Sequence, residues 1–481
     1  MLRASQSRVS SSLVSVALAV VFLAVSTTNA APTAPVAVPP VLAPGTETNV
    51  TTAPAQAPAQ APTAAAEAPA GTPTNPFGDT GFITVQGNKF VDANCKEFFF
   101  VGGNSWLTLE AASNQLHPDT TAYLGGRDLI QYLFATAQAS NITVIRTLAG
   151  SADDSDDFVL QTAPGVYNEV AFQGLDKIIN DASEAGIKLI LPFTDNWHFQ
   201  DGLFQYVEWG HSMATGDFFT DPTIIQLYKN HVTAIVNRTN TLNGRQYKDE
   251  PAIFAWDLIN ELRDGCNTSA PNATCDPAFT GSVQAWIEEV SAFVKAADPN
   301  HLVIVGEEGF YGPGSPDLGS NPSPGLCTPQ VLTRLSRCQH MSNLIAGIVS
   351  ADSQSLYAKR SSLQLACLSC MWTLSLVKDP VGFTTAWLTA HIANAQSLGK
   401  PFIVEEFGKS VNARAAFWEY SYIAGPPDTN QVLVNESTWS SIIEPAADGA
   451  LQTMLSNPAI SNCVPGPLKS TTGSTATAGR R

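Results

Sequence analysis

The chain has 481 residues, with 25 Lys and Arg against 42 Asp and Glu and a formal charge of −17. That balance argues against nucleic acid and anionic membranes as partners. It suits a neutral substrate such as a polysaccharide.

Residues 1–30 read as a secretory signal peptide. Arg3 and Arg8 supply a positive start, an apolar run covers residues 13–25, and small residues surround Ala30 and Ala31 where cleavage fits. The run is shorter than the roughly 20 apolar residues of a membrane span, so cleavage is expected rather than retention as an anchor. A secreted, extracellular protein with no stable membrane association follows. Residues 31–76 are rich in Pro, Ala and Thr and contain the repeat PAQAPAQAP at 54–62. Such a segment buries too little apolar surface to offset its ordering entropy and reads as a spacer. Residues 77–463 remain as one large domain, a normal size for an α/β barrel with loop insertions. Residues 464–481 are expected to be a disordered tail.

Within 77–463, short apolar runs alternate with helical stretches. Strands are expected at FFFVGG (98–103), ITVIRT (142–147), IKLILPF (187–193), IFAWDLI (253–259), LVIVGEE (302–308) and PFIVEEF (401–407). Helices are expected at 128–139, 170–185, 222–239, 281–297 and 384–398. Runs apolar on both faces suit a parallel sheet covered on both sides. The alternation fits a barrel or a doubly wound sheet. No Gly-rich phosphate or dinucleotide loop follows the first strand, which favours the (β/α)8 barrel.

Several of these strands end in a polar residue: Arg146, Asn196, Asn260 with Glu261, Glu308 and Glu406. Barrel active sites lie at the C-terminal ends of the strands. Two carboxylates meeting there are what glycosidic cleavage needs, one as proton donor and one as nucleophile or base. Glu261 and Glu406 each follow a strongly apolar strand, which places them at the barrel mouth rather than on the outer surface. Of the eight cysteines, Cys266 and Cys275 flank a short polar loop and are the first choice for a disulfide in an oxidising compartment. Cys367-x-x-Cys370 has no second pair and no histidine cluster at ligand spacing, so no metal and no cofactor are expected. Asn-x-Ser/Thr triplets at Asn49, Asn141, Asn237, Asn267, Asn272 and Asn435 are what a secreted glycoprotein could carry, although Asn141 runs straight into a buried strand.

These residues carry a resemblance. WDLINELR (256–263) and KPFIVEEFGKS (400–410) resemble the Asn-Glu and nucleophile strands of glycoside hydrolase family 5. QYVEW (205–209), DFFTDP (217–222), YKNHV (228–232), YKDEPAIFAW (247–256), DPNHL (298–302) and EEGFYGPGSPD (307–317) resemble, more narrowly, its plant and fungal endo-β-1,4-mannanases. The likeness runs from about residue 81 to 321 and resumes near Val381. It implies a mannan-type polysaccharide as substrate, cleaved with retention by a monomer. It implies that Glu261 is the acid/base and that Glu406, directly before Phe-Gly, is the nucleophile rather than Glu405. Arg146 matches the arginine that hydrogen-bonds the nucleophile, and Asn260 the residue near the sugar 2-hydroxyl. FWEY (417–420) resembles the last strand, with Trp418 as the floor under the sugar. Trp106 and Trp197, after strands one and three, are candidates to stack on sugar rings or to pack in the core.

Two departures accompany the resemblance. The family ends strand six in a His-x-aromatic motif; the nearest counterpart here is Cys370-Met371-Trp372, and residues 327–379 do not resemble the family. Residues 409–416 are all that separate the nucleophile strand from FWEY, too few for the seventh helix. A shifted frame or a mis-assigned intron in the deduced sequence would produce both. The barrel is therefore expected to be incomplete around strand six and helix seven. Beside the active mannanase stand two alternatives: a barrel β-glycanase of other specificity, and an impaired mannan-binding homologue.

Overall fold

The computed structural model describes residues 21–25, 75, 77–105, 108–113, 129–152, 159–196, 202–262, 279–306, 380–404, 419–421, 431–433 and 444–463. All lie in one compact unit made of residues 1–26 and 73–481. The expected spacer, tail and strand six, and the Cys266–Cys275 pair, lie outside the described residues.

The elements follow in chain order. Strand β1 is Val21–Val25, and a hairpin pairs β2 (Thr84–Gln86) with β3 (Lys89–Val91). Then come β4 (Val101–Asn104), α1 (Thr108–Ala112), α2 (Leu129–Ala139) and β5 (Val144–Arg146). A small antiparallel pair, β6 (Gln161–Ala163) and β7 (Val166–Tyr167), leads into α3 (Glu169–Ala185) and β8 (Lys188–Pro192). Next are α4 (Gly202–Trp209), α5 (Pro222–Val236), β9 (Ile253–Asp257), α6 (Phe279–Ala297) and β10 (Leu302–Ile304). The described part ends with α7 (Pro380–Ser397), β11 (Phe402–Val404), β12 (Glu419–Ser421), β13 (Gln431–Leu433) and α8 (Glu444–Ser456).

Strands β4, β5, β8, β9 and β10 are neighbours in that order, every pair parallel. They are strands one to five of the expected barrel, each joined to the next through helix on the outside. Every residue of β5, β8, β9 and β10 is buried, as runs apolar on both faces require. Alternation sorts the side chains between the two faces, except in β9, whose register against β8 shifts so that Phe254 and Trp256 lie on opposite faces. Val144, Ile190, Phe254, Leu302 and Ile304 pack together on the inner face with Phe90, Phe98 and Phe100. Ile145, Leu189, Leu191, Ile253, Trp256 and Val303 pack outward against the helices. The hairpin was not read from the sequence; its two-residue turn begins at Gly87, whose φ of 62° fits the primed turn that such a connection needs.

Local chemistry sets the helix ends. Asn168 caps α3 by accepting the N–H groups of Val170 and Ala171, and Gly186 closes it in the left-handed region at φ 73°. Asp221 caps α5 in the same way, with Pro222 at its first position. The expected helix 222–239 stops at Val236, because the carbonyl of Arg238 turns away to accept from Tyr247 N–H at 2.9 Å. The Asn141 side chain donates to Asp448 at 2.6 Å and the triplet's Thr143 is buried. Cys95 and Cys463 form a disulfide that ties the hairpin region to the end of the domain.

Two placements differ from expectation. FWEY was expected as the eighth barrel strand, but β12, which begins at its Glu419, pairs parallel with β13 in a separate two-stranded sheet. The position between strands one and seven is held by β1, a segment of the leader-like residues 1–30, which runs antiparallel to both β4 and β11. The physical reason is the demand of two strand edges: the facing edges of β4 and β11 offer unpaired N–H and C=O groups that an extended segment satisfies. Among the described residues the sheet ends on β10 at one side and β11 at the other.

Candidate active site

The C-terminal ends of the parallel strands bring polar residues together from five directions. Asn104 ends β4, Arg146 ends β5 and Asp257 ends β9. Asp195 and Asn196 follow β8, Asn260 and Glu261 follow β9, and Gly306 follows β10. The two turns after β8 and β9 are fastened side by side. Asn260 N–H donates to Thr194 at 2.9 Å, Asn196 N–H to the Asn260 carbonyl at 3.1 Å, and Leu262 N–H to the Gly306 carbonyl at 2.8 Å.

Glu261 sits in this frame with 4% of its surface exposed and a φ of 52°. A non-glycine residue rarely takes that conformation, and where it does, the surroundings must hold it there. The Asn196 carboxamide does part of this by donating to the Glu261 carbonyl at 3.0 Å. The result is a carboxyl-bearing side chain at the barrel mouth on a backbone pinned from both neighbouring strands.

Beside it runs a network of five side chains. Arg146 Nη2 donates to Asp257 Oδ2 at 2.7 Å and to Asn260 Oδ1 at 2.8 Å. Its Nη1 reaches Asn104 Oδ1 at 3.3 Å. Since Asn260 accepts through oxygen, its nitrogen faces the other way and donates to Asp195 Oδ1 at 3.2 Å. Asp257 Oδ1 accepts the N–H groups of Gly306 at 2.8 Å and Ile259 at 3.3 Å. Burial pushes the Asp257 carboxyl up; the Arg146 guanidinium and the two backbone N–H groups pull against it.

Four residues expected in the site are thus described and adjoin one another: Arg146, Asn196, Asn260 and Glu261. Glu406, Trp106, Trp197, Trp372 and Trp418 lie outside the described residues, as does any contact of Arg146 with Glu406. Glu406 stands two residues beyond the last residue of β11. The sequence reading missed Asn104, Asp195 and Asp257. Asp257 had a signal: it is the single charge in the apolar run IFAWDLI, and a charge in a strand covered on both faces needs a partner. Among the described residues no cluster of His, Cys, Asp and Glu could hold a metal ion.

A strand-end constellation of this kind on a (β/α)8 barrel is the architecture of a glycoside hydrolase. A family model described as GH family 5 beta-mannosidase-like matches residues 80–318. The chain is 37% identical over 336 residues to "Putative mannan endo-1,4-beta-mannosidase 4" of Arabidopsis thaliana, covering 68% of this chain and 73% of that one. It is also 37% identical over 345 residues to "Mannan endo-1,4-beta-mannosidase 1" of Oryza sativa subsp. japonica, covering 69% and 70%. The chain belongs to glycoside hydrolase family 5, among its mannosidase-like members. A crystal structure of the endo-1,4-beta-mannanase from Rhizomucor miehei superposes with a TM-score of 0.58 at 24% identity, over 77% of this chain and 99% of that one. An endo-beta-1,4-mannanase from Thermotoga petrophila gives 0.55 at 24%, over 74% and 78%. These likenesses bear out the barrel fold.

Proposed function

We propose that the protein is a secreted endo-β-1,4-mannanase that cleaves β-1,4-mannosidic bonds with retention at the anomeric carbon. Glu406 is the nucleophile and Glu261 the acid/base. In the first step the Glu406 carboxylate attacks the anomeric carbon while Glu261 gives its proton to the departing glycosidic oxygen. In the second, water attacks the glycosyl-enzyme, Glu261 takes a proton from it, and the Glu406 carboxylate is released. Asn260 presents its amide beside the sugar, and Trp106, Trp197, Trp372 and Trp418 offer apolar faces to sugar rings.

The observation that carries this reading is the buried Glu261 on a pinned left-handed backbone at the end of β9, in a chain whose relatives bear the mannosidase name. The extracellular location rests on the leader-like residues 1–30. Among the described residues no helix is long and apolar enough to cross a membrane.

Release of reducing ends from β-mannan, set beside the same assay on cellulose, tests the reading. Mannan is expected to be cut and cellulose spared, with Glu261→Gln inactive on mannan. Equal action on both polymers would overturn the specificity, and an active Glu261→Gln would overturn the site.

A further inference from the structure

We propose that Asp257 is a positioning residue for hydrolysis: it holds Arg146, and through Arg146 the Asn260 carboxamide, in register with Glu261. The proposal rests on the assignment of Glu261 above.

Asp257 is wholly closed to water, and three donors from three strand ends converge on its carboxylate. Gly306 N–H comes from the end of β10, Ile259 N–H from the turn after β9, and Arg146 Nη2 from the end of β5. Gly306 shows how closely the carboxylate is seated. A Cβ there would lie 2.8 and 2.9 Å from the two Asp257 oxygens and 2.5 Å from the Ile259 carbonyl. The position takes a glycine because the Ile259 carbonyl and the Asp257 carboxylate together fill the space a side chain would need.

Arg146 is the second link. Arg146 is 5% exposed, and its Nη2 is shared between Asp257 and Asn260. A guanidinium is planar, so fixing one edge against a carboxylate fixes where its other N–H groups point. Asn260 is thereby oriented: its oxygen faces Arg146 and its nitrogen faces Asp195. Asn260 is the residue before Glu261, whose backbone already sits in a restrained conformation. A change at Asp257 therefore reaches Glu261 through two hydrogen bonds and one peptide bond.

Stability alone is a poor reason for such a pair. Buried ion pairs are commonly neutral or costly compared with apolar side chains of the same volume, whereas a fixed geometry is something they supply well. A misplacement of about 1 Å in a catalytic arrangement can cost on the order of 10²-fold in rate.

The test compares Asp257→Asn, Asp257→Glu, Gly306→Ala and Glu261→Gln by steady-state kinetics on mannohexaose, with near-ultraviolet circular dichroism to confirm folding. Asp257→Asn has one oxygen, so keeping the acceptor for Gly306 and Ile259 turns its –NH2 donor toward the Arg146 guanidinium. It is expected to lower kcat by about 10²-fold while KM stays within about 3-fold, the pattern of an interaction needed in the transition state. Asp257→Glu restores the charge and is expected to recover most of that loss in kcat. If Asp257→Asn does not fold, Gly306→Ala, which pushes on the same carboxylate, carries the test with the same expected split. Wild-type kcat in the folded Asn variant, or in Gly306→Ala where the Asn variant is unfolded, overturns the proposal while an inactive Glu261→Gln leaves the site assignment standing. An active Glu261→Gln removes that assignment and this proposal with it.

Discussion

Trp256 donates its indole N–H to Asp298 at 2.6 Å, fastening the outward face of β9 to the turn after α6. His301 adds its Nδ1 to the same carboxylate oxygen at 2.6 Å and its Nε2 to the Glu250 carbonyl at 2.9 Å. Trp256 also stacks on Phe193, with ring centroids 5.0 Å apart. The strand that ends in the site is thus clamped from behind. Burial raises the Asp298 carboxyl, but the charge and N–H of His301 and the indole N–H outweigh it and hold it below its ordinary range. Asp298→Ala leaves three buried donors, the Trp256 indole and the ring and backbone N–H of His301, without their acceptor and is expected to cost about 3 kcal/mol. A urea titration measures it; a loss under about 1 kcal/mol would show that the clamp adds little.

The two adjacent glutamates after β11 should behave differently. The proposed nucleophile is Glu406, and alternation along an extended segment would turn Glu405 to the opposite face. Glu406→Ala is expected to abolish turnover on mannan, and Glu405→Ala to retain much more of it. Equal losses would contradict the assignment of the nucleophile.

His231 gives the fold an acid-sensitive point. It is 1% exposed, its Nε2 contacts the Phe193 carbonyl at 3.1 Å, and its Nδ1 meets no partner among the described residues. Burial lowers its pKa from 6.5 to about 4. The unfolded chain therefore binds this proton first as pH falls, so the stability present above pH 6.5 drains away as pH drops toward 4. Folding midpoints of wild type and His231→Gln across that window are expected to differ in slope, with about 3 kcal/mol less acid loss in the variant. Parallel slopes would assign the acid sensitivity to other groups.

The disulfide between Cys95 and Cys463 joins residues 368 positions apart. Breaking it by Cys95→Ser is expected to cost about 2–4 kcal/mol, with the entropy of the longer open chain as the main source. Denaturation of the variant beside the reduced wild type checks this; unchanged stability in both would mean that packing alone holds the two ends.

The sequence and the structure agree best where one rule decides. β5, β8 and β9 are apolar on both faces, and the runs ITVIRT, IKLILPF and IFAWDLI announce them. α5 begins where Asp221 and Pro222 say it should. Glu261 and Asn260 are legible because a polar pair ends an apolar strand. Asp257 stands out as the single charge in its run, but its pairing was not legible, because Arg146 lies 111 positions away and no local pattern joins them. The hairpin β2–β3 was overlooked because its three-residue strands are too short for a periodicity to register. Cys95 and Cys463 could not be paired from spacing, since only the fold carries the end of the chain back under the first strand.

The Cys95–Cys463 bond turns almost the entire catalytic domain into a covalent ring. A protease that cuts one peptide bond inside that ring does not release a fragment. It produces a permuted chain, with new ends at the cut and the old ends joined through sulfur. The pieces stay tethered and can re-dock at the high effective concentration of an intramolecular reaction. A single nick thus becomes a change of topology instead of a loss of half the barrel.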